Sequence, residues 1–371
     1  MSRTIIDVHI LQTVPPSNLN RDDTGSPKTA IYGGVRRARV SSQAWKRAVR
    51  LSFKDLLAKE ELGERTKRVG DAIAALISEQ APDLADQAPS LAAGVLKAAG
   101  IVMKEPKGGA AAEPGYLLFL SHRQQENLAQ VAVEAARAGT NPDGKLAKAL
   151  ANRDHSVDIA MFGRMVADAS DINVDAAVQV AHAISVHAVD TEFDYFTAVD
   201  DRKHDAQQTG AGMIGTVEFN SSTLYRYATI DVDRLQDTLG NVEAARKAVE
   251  AFLTAFATSM PTGKQNTFAN RTLPDAVMVR LRQTQPINLV GAFESPVRAR
   301  EATGRIKEAA DALAQHTQEV EQAYGQPPVE AWVTHVGERA QALATVGKSV
   351  TFPELVAAVG SQVAIRLGGS A

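Results

Sequence analysis

The first regular pattern along the chain is a β-branched apolar run, Thr4-Ile-Ile-Asp-Val-His-Ile-Leu-Gln-Thr-Val14, bounded by Pro15-Pro16. It predicts a strand. A loop-rich stretch over 15–40 follows, with Pro27 and Gly33-Gly34. Ser41-Ser42 then offers an N-cap. Trp45, Val49, Phe53 and Leu56 recur at helical spacing and predict a helix from Gln43 to about Leu62 with one apolar face. Residues 65–150 are Ala-rich and broken by Pro82, Pro89, Pro106 and Gly108-Gly109, so they read as a helical insertion. Within it, Ser121-His-Arg-Gln124 predicts a capping box opening a helix that ends at Gly139. Val178, Val180, Ile184 and Val186 alternate with small or polar residues and predict a strand over 177–188. A long polar stretch, Asp190 to Gly215, precedes another strand over 216–230. An amphipathic helix with Val242, Ala245, Val249, Phe252, Leu253 and Phe256 on one side ends near Pro261-Thr-Gly263, and 275–283 predicts a further strand. The remainder, 300–371, reads as helical, with a last helix opening at Thr351-Phe-Pro-Glu354. The order β–α–(helical insertion)–β–(loop)–β–α–β predicts an α+β fold on a split βαβ, ferredoxin-like core.

Composition changes this picture only by exclusion. The 371 residues are 44% hydrophobic and 22% charged, an ordinary globular balance with ample core. No cysteine is present, which excludes disulfides, thiolate metal sites and a cysteine nucleophile and suits a cytoplasmic protein. Asp7 and His9 interrupt the N-terminal apolar run, so it predicts no signal peptide. No uncharged apolar run reaches the length of a membrane span.

Charge is informative through its distribution. The net charge is −3, yet from Thr24 to Lys54 the chain has Lys28, Arg36, Arg37, Arg39, Lys46, Arg47, Arg50 and Lys54 and no Asp or Glu. On the predicted helix, Gln43, Lys46, Arg47 and Arg50 share a face opposite Trp45, Val49 and Phe53. Free amides, two hydroxyls, an amide side chain and cations converge on one helix end. That arrangement suits phosphate. The alternative is a solvated basic face. Thr262-Gly-Lys-Gln265 is a second basic turn, either a phosphate contact or a helix C-cap. Tyr195 and Phe196 are candidates to stack on bases or to pack in a core.

Other motifs fail or stay open. Gly210-Ala-Gly-Met-Ile-Gly215 fits G-x-G-x-x-G, but a polar stretch precedes it and a strand pattern follows, which argues for a loop with Met213-Ile214 near its tip. Asp200, Asp201, His204 and Asp205 cluster in the same stretch and would be metal candidates, although loops of this composition are usually solvated. His182 and His187 read as core or edge histidines on opposite strand faces.

Several longer stretches carry a resemblance. Ser17-Asn-Leu-Asn-Arg-Asp-Asp23, Ile31-Tyr-Gly-Gly34, Arg36-Arg-Ala-Arg-Val-Ser-Ser-Gln-Ala-Trp-Lys-Arg47, Val157-Asp-Ile-Ala160 with Gly163-Arg-Met165, and Phe196-Thr-Ala-Val-Asp-Asp201 resemble the CasC family, the backbone subunit of the type I-E CRISPR Cascade complex. The resemblance covers about 1–60 and 155–300 and fades through 65–150 and 300–345. It implies an RRM-like palm (1–60 and 176–300), helical fingers (61–175), a thumb loop at about 190–216 and a C-terminal part (301–371) packed on the palm. It implies a noncatalytic scaffold, without cofactor or metal, that stacks head-to-tail on CRISPR RNA and presents it to target DNA. The implied partners are CRISPR RNA, target DNA, other copies, other Cascade subunits and a recruited nuclease-helicase. By matching position, Arg21, Lys28, Ser41, Gln43, Lys46 and Arg50 would grip the RNA backbone, with Lys264 and Gln265 as supporting contacts. Met165 would be an apolar wedge beside a displaced base, Tyr195 and Phe196 the thumb-base aromatic pair, Thr197 an RNA contact and Ile214 a thumb-tip residue. Lys104, Lys107, Lys145 and Lys148 would be candidate DNA contacts of the fingers. A rival reading is a metal-dependent nuclease using Asp200, Asp201 or Asp205; another is a monomeric RNA-binding module.

Overall fold

The fold is seen in a computed structural model that describes residues 3–104, 113–166, 169–198, 213–299 and 304–368. Two compact units make up the chain. The first comprises Met1–Leu51, Val180–Thr229 and Phe252–Val359. Its sheet runs in the order Lys348–Ser349, Glu330–His335, Ala276–Arg282, Ile5–Ser17, Met213–Asp231, Ala183–Ser185, Val35–Val40 and Thr29–Tyr32. The four middle strands of that order, together with the helices Ser42–Leu56 and Val242–Thr258 in their connections, form the expected split βαβ core. Ile5 lies opposite Arg282 and Leu11 opposite Ala276 in an antiparallel ladder. Ile5, Ile6, Val8, Ile10 and Leu11 are all buried, which is why this strand reads as a nearly continuous apolar run.

Two buried polar assemblies fix this unit. Arg226 lies 3.7 Å from the centre of the Trp45 ring and 4.5 Å from that of Phe256, and its Nη1 donates to Gln12 Oε1 at 2.5 Å. Burial pulls its pKa down to about 9. The guanidinium thus clamps the helix carrying Trp45 against the sheet through both ring faces. Asp7, fully buried, accepts from Arg282 Nε at 3.0 Å, the Tyr227 hydroxyl at 2.8 Å and the Ile287 amide at 3.0 Å. Arg282 Nη2 reaches Glu321 at 3.1 Å, and Glu321 also pairs with Arg280. Two carboxylates and two guanidinium groups thereby tie the first strand, its neighbour and the Gly304–Tyr324 helix together.

The elements depart from the sequence expectation in definite places. The first strand continues through Pro15-Pro16 to Ser17. Proline is tolerated there because a strand end needs no ladder donor. The expected loop over 15–40 contains a hairpin, Thr29–Tyr32 with Val35–Val40, turned by Gly33 and Gly34 at φ 58° and 77°. The 177–188 strand is two short ones, Val178–Val180 and Ala183–Ser185. The Gln43–Leu62 helix is Ser42–Leu56, and Leu56 is 41% exposed rather than core. The helical 300–371 region also contains Glu330–His335 and Lys348–Ser349, which extend the sheet. Pro327-Pro328 stops the preceding helix, and Trp332-Val-Thr334 favours strand.

The second unit comprises Ser52–Gln179, Ile230–Ala251 and Gly360–Ala371. Val69–Gln80, Ala88–Ala98, His122–Arg137 and Gly144–Ala151 enclose a core that includes Ile73, Ile77, Val95, Leu96, Leu118 and Leu128. The capping box at Ser121 forms as expected: the Gln124 amide donates to Ser121 Oγ, and the Ser121 amide to Gln124 Oε1, both at 3.0 Å. Helix His122–Arg137 unwinds into Gly139 at φ 65°, where the Thr140 amide closes onto Ala135 O at 3.0 Å. No helix among the described residues is long and apolar enough to cross a membrane.

Candidate nucleic-acid interface

The basic block converges on one short segment of the first unit, Asn18–Arg21. Asn20 is its hub. Its side-chain oxygen accepts the Ser41 amide at 2.8 Å, and its carbonyl accepts the Lys28 amide at 2.9 Å. Lys28 O in turn accepts the Arg39 amide at 2.9 Å. Gly263 presses onto the same segment so closely that a Cβ would stand 2.4 Å from Leu19 O. Lys264 follows in the left-handed region at φ 49°, heading the short helix Gln265–Phe268. Asn18 Nδ2 donates at 2.9 Å to both Gly25 O and Glu218 O, which ties in the root of the 192–198 strand's partner. Arg21, Lys28, Ser41, Gln43, Lys46, Lys264 and Gln265 therefore stand on elements pinned to one five-bond scaffold.

Around this hub each predicted residue has a definite setting. Ser41 is buried and is the helix cap: its Oγ accepts the Ala44 amide at 3.3 Å. Gln43 and Arg47 are exposed, and Lys46 and Arg50 half-buried, on the face opposite Trp45, Val49 and Phe53. Among the described residues, Arg21, Lys28, Lys46 and Lys264 make no ion pair. Burial lowers the pKa of Lys46 and no carboxylate opposes it. Asp22, the nearest acid in sequence, spends its Oδ1 on the Thr24 amide, Thr24 Oγ1 and the Ser26 amide, which hold its carboxyl below the usual range. Among the described residues, the cations Arg21, Lys28, Lys46 and Lys264 are thus not neutralised from within.

Arg37 is the correction to the basic block. It is fully buried, with Nε donating to Tyr32 O at 3.1 Å, Nη1 to Ser185 O at 3.1 Å and Nη2 to Phe293 O at 2.8 Å. It braces the hairpin from a fully buried position. Strand alternation explains the split, since Arg36 and Arg37 must point to opposite faces.

The aromatic arm is a strand where a loop was expected. Glu192–Ala198 pairs antiparallel with Met213–Asp231, placing Tyr195 opposite Thr216 and Phe196 opposite Gly215. Tyr195 and Phe196 therefore face opposite sides, so they do not form one stacking surface. Tyr195 shares its face with Phe193 and Thr197, and Phe193 and Tyr195 are 67% and 63% exposed. Phe196 lies over Gly215, where a Cβ would stand 2.4 Å from its ring. Ile214 pairs with Thr197 along the backbone, and its side chain lies outside the described residues. Asp200, Asp201, His204, Asp205, Gly210, Gly212 and Lys107 also lie outside them.

Met165, in the second unit, is 85% exposed, the largest exposure among the chain's large apolar side chains in the described residues. Its neighbours hold it there. Arg164 is buried and donates to Ile172 O at 2.8 Å, Phe119 O at 3.2 Å and Ala151 O at 2.9 Å. Gly163 takes φ 76°, and a Cβ there would meet Val174 O at 2.8 Å. A rigid anchor thus presents one thioether to solvent, a geometry suited to a wedge. Gly163→Ala is expected to cost about 1–3 kcal/mol from strain and clash. A urea titration checks this; an unchanged midpoint would contradict the anchored geometry. Among the fingers lysines, Lys148 is paired with Asp171 and Lys145 is exposed.

The model of the CT1975-like protein family matches residues 6–358. The chain belongs to that family. A structure described as "CRISPR RNA-guided surveillance complex, pre-nicking" contains a chain 34% identical to this CT1975-like chain, with a TM-score of 0.85, covering 97% of this chain and 100% of that one. A second, "CRISPR RNA-guided surveillance complex", gives 30% identity, a TM-score of 0.76, and 96% and 99% coverage. No curated protein sequence matches the chain. The match across nearly the full length of both chains makes the α+β, palm-like architecture that of such complex subunits.

Sequence reading missed Asn18 and Asn20, whose amides hold the cradle together. A signal was present: Asn-x-Asn in a polar loop marks side chains that bond nearby backbone.

Proposed function

We propose that the chain is a noncatalytic scaffold subunit of a CRISPR RNA-guided surveillance complex. It grips the ribose-phosphate backbone of CRISPR RNA in the cradle formed by Arg21, Lys28, Gln43, Lys46, Arg50, Lys264 and Gln265, with Ser41 fixing the helix end. Copies repeat along the RNA and leave its bases free to pair with target DNA, in the cytoplasm and beside the other subunits and a recruited nuclease-helicase. In this reading 1–60 and 176–300 act as the palm, with 301–371 packed on it, 61–175 as the fingers and about 190–216 as the thumb. Met165 and Tyr195 contact bases, Phe196, Thr197 and Ile214 line the thumb, and no metal or cofactor takes part.

The observation that carries this reading is the half-buried Lys46, which makes no ion pair among the described residues, on a chain that a surveillance-complex subunit matches over 97% of its length. A desolvated cation without a partner is costly and is relieved by an anion. The test is purification of the chain co-expressed with a CRISPR RNA. RNA of defined length is expected to stay bound at 0.15 M salt and to be lost near 1 M, because phosphate contacts release counterions. A chain that emerges free of RNA at low salt would overturn the proposal.

A further inference from the structure

Beside the cradle, and sharing its Lys28, lies a pair of donors with no assigned role. Arg39 stands half-buried on the Val35–Val40 strand, between the buried Ala38 and Val40. Its Nε donates to Thr29 O at 3.2 Å, and its Nη1 lies 3.2 Å from His182 Nδ1. A guanidinium only donates, so His182 Nδ1 accepts and the ring proton sits on Nε2. His182 is exposed, and that Nε2–H is its remaining donor. Lys28, whose carbonyl holds the Arg39 amide at 2.9 Å, completes the group. Burial, and then the Arg39 and Lys28 charges, lower the pKa of His182.

Two donor side chains, Arg39 and His182, thus meet at one place, with the Lys28 charge near enough to act on the ring, and Arg39 and Lys28 make no ion pair among the described residues. Two permanent cations exclude a metal ion there. The fitting ligand carries several oxygens and negative charge. Arg39 is two residues before the helix cap Ser41, and Lys28 is bonded to Asn20, so the group continues the cradle without a break. We propose that Arg39 and His182, together with Lys28, form a further phosphate subsite for the RNA backbone, with His182 donating through Nε2. This rests on the reading of the chain as an RNA scaffold.

The test is fluorescence anisotropy of the intact chain with labelled single-stranded RNA, over 0.05–0.3 M salt, concentrations chosen on the order of those where phosphate contacts govern affinity. Arg39→Gln is expected to lower affinity about tenfold and to flatten the plot of log affinity against log salt by about 0.7, the value of one single-strand phosphate contact. Arg39→Lys is expected to restore the slope, which separates lost charge from a disturbed hairpin. His182→Leu, which removes the Nε2 donor, is expected to lower affinity about threefold, and His182→Gln, whose amide can still donate, to bind within about twofold of the parent. An Arg39→Gln slope equal to the parent's, or a His182→Leu affinity equal to the parent's, overturns the subsite while the scaffold reading stands. A parent chain without RNA affinity overturns both.

Discussion

Arg21→Ala combined with Lys46→Ala is expected to weaken single-stranded RNA binding by roughly 100-fold at 0.15 M salt, about 1–2 kcal/mol for each charge-assisted contact. The two residues approach the same segment from different elements. Arg21 is exposed on the loop that Asn20 organises, and Lys46 stands one turn into the helix that Asn20 caps through Ser41. Neither is paired with a carboxylate among the described residues, so their loss leaves no orphaned partner inside the protein. Fold stability should change little, within about 0.5 kcal/mol for surface positions of this kind. The loss should also be equal across unrelated RNA sequences, because phosphates carry no sequence information. Filter binding against two guides of different sequence checks both points. A loss confined to one guide would mean that bases are being read.

Asp7→Ala is expected to be the most destabilising single substitution in the first unit. Asp7 is buried and accepts three hydrogen bonds, from Arg282, Tyr227 and the Ile287 amide. Desolvation is the largest influence on its carboxyl and raises its pKa, while the hydrogen bonds and Arg282 oppose it. Removing the carboxylate leaves Arg282 sharing Glu321 with Arg280, so two buried guanidinium groups face one acid. Breaking a buried pair from one side costs about 3–5 kcal/mol. A shift in the urea midpoint corresponding to that range is expected, and a loss below about 1 kcal/mol would show that Arg282 finds another partner. The network holds the Gly304–Tyr324 helix to the first strand, so the same variant should also expose that helix to proteolysis early.

Much of this was legible in the residues, for reasons that can be named. Strong helical spacing at Trp45, Val49 and Phe53 and the Ser121…Gln124 pair located their helices because each is a local signal of about one turn. The core strands at 4–14 and 275–283 were visible as β-branched apolar runs, whereas the alternation over 177–188 hid a break between two short strands. The hairpin at 29–40 was not, since basic residues and glycines hid its period of two. Had 35–40 been read as a strand, Arg37 would have fallen on the face opposite Arg36 and left the cradle. The same period separates Tyr195 from Phe196, adjacent in sequence and on opposite sides of the arm. Glu330–His335 was obscured by Ala-rich surroundings, and sheet pairing with Ala276–Arg282 and Lys348–Ser349 defines it. Asn20 carried no visible role because its partners, Ser41 and Lys28, are brought to it by the fold.

The central claim is that one chain after another clasps the backbone of a single RNA. Light scattering after size exclusion, on chain mixed with RNAs of increasing length, measures this directly. The account predicts that mass climbs by one chain for each fixed increment of nucleotides. A constant mass of one chain per RNA, whatever the length, would contradict it.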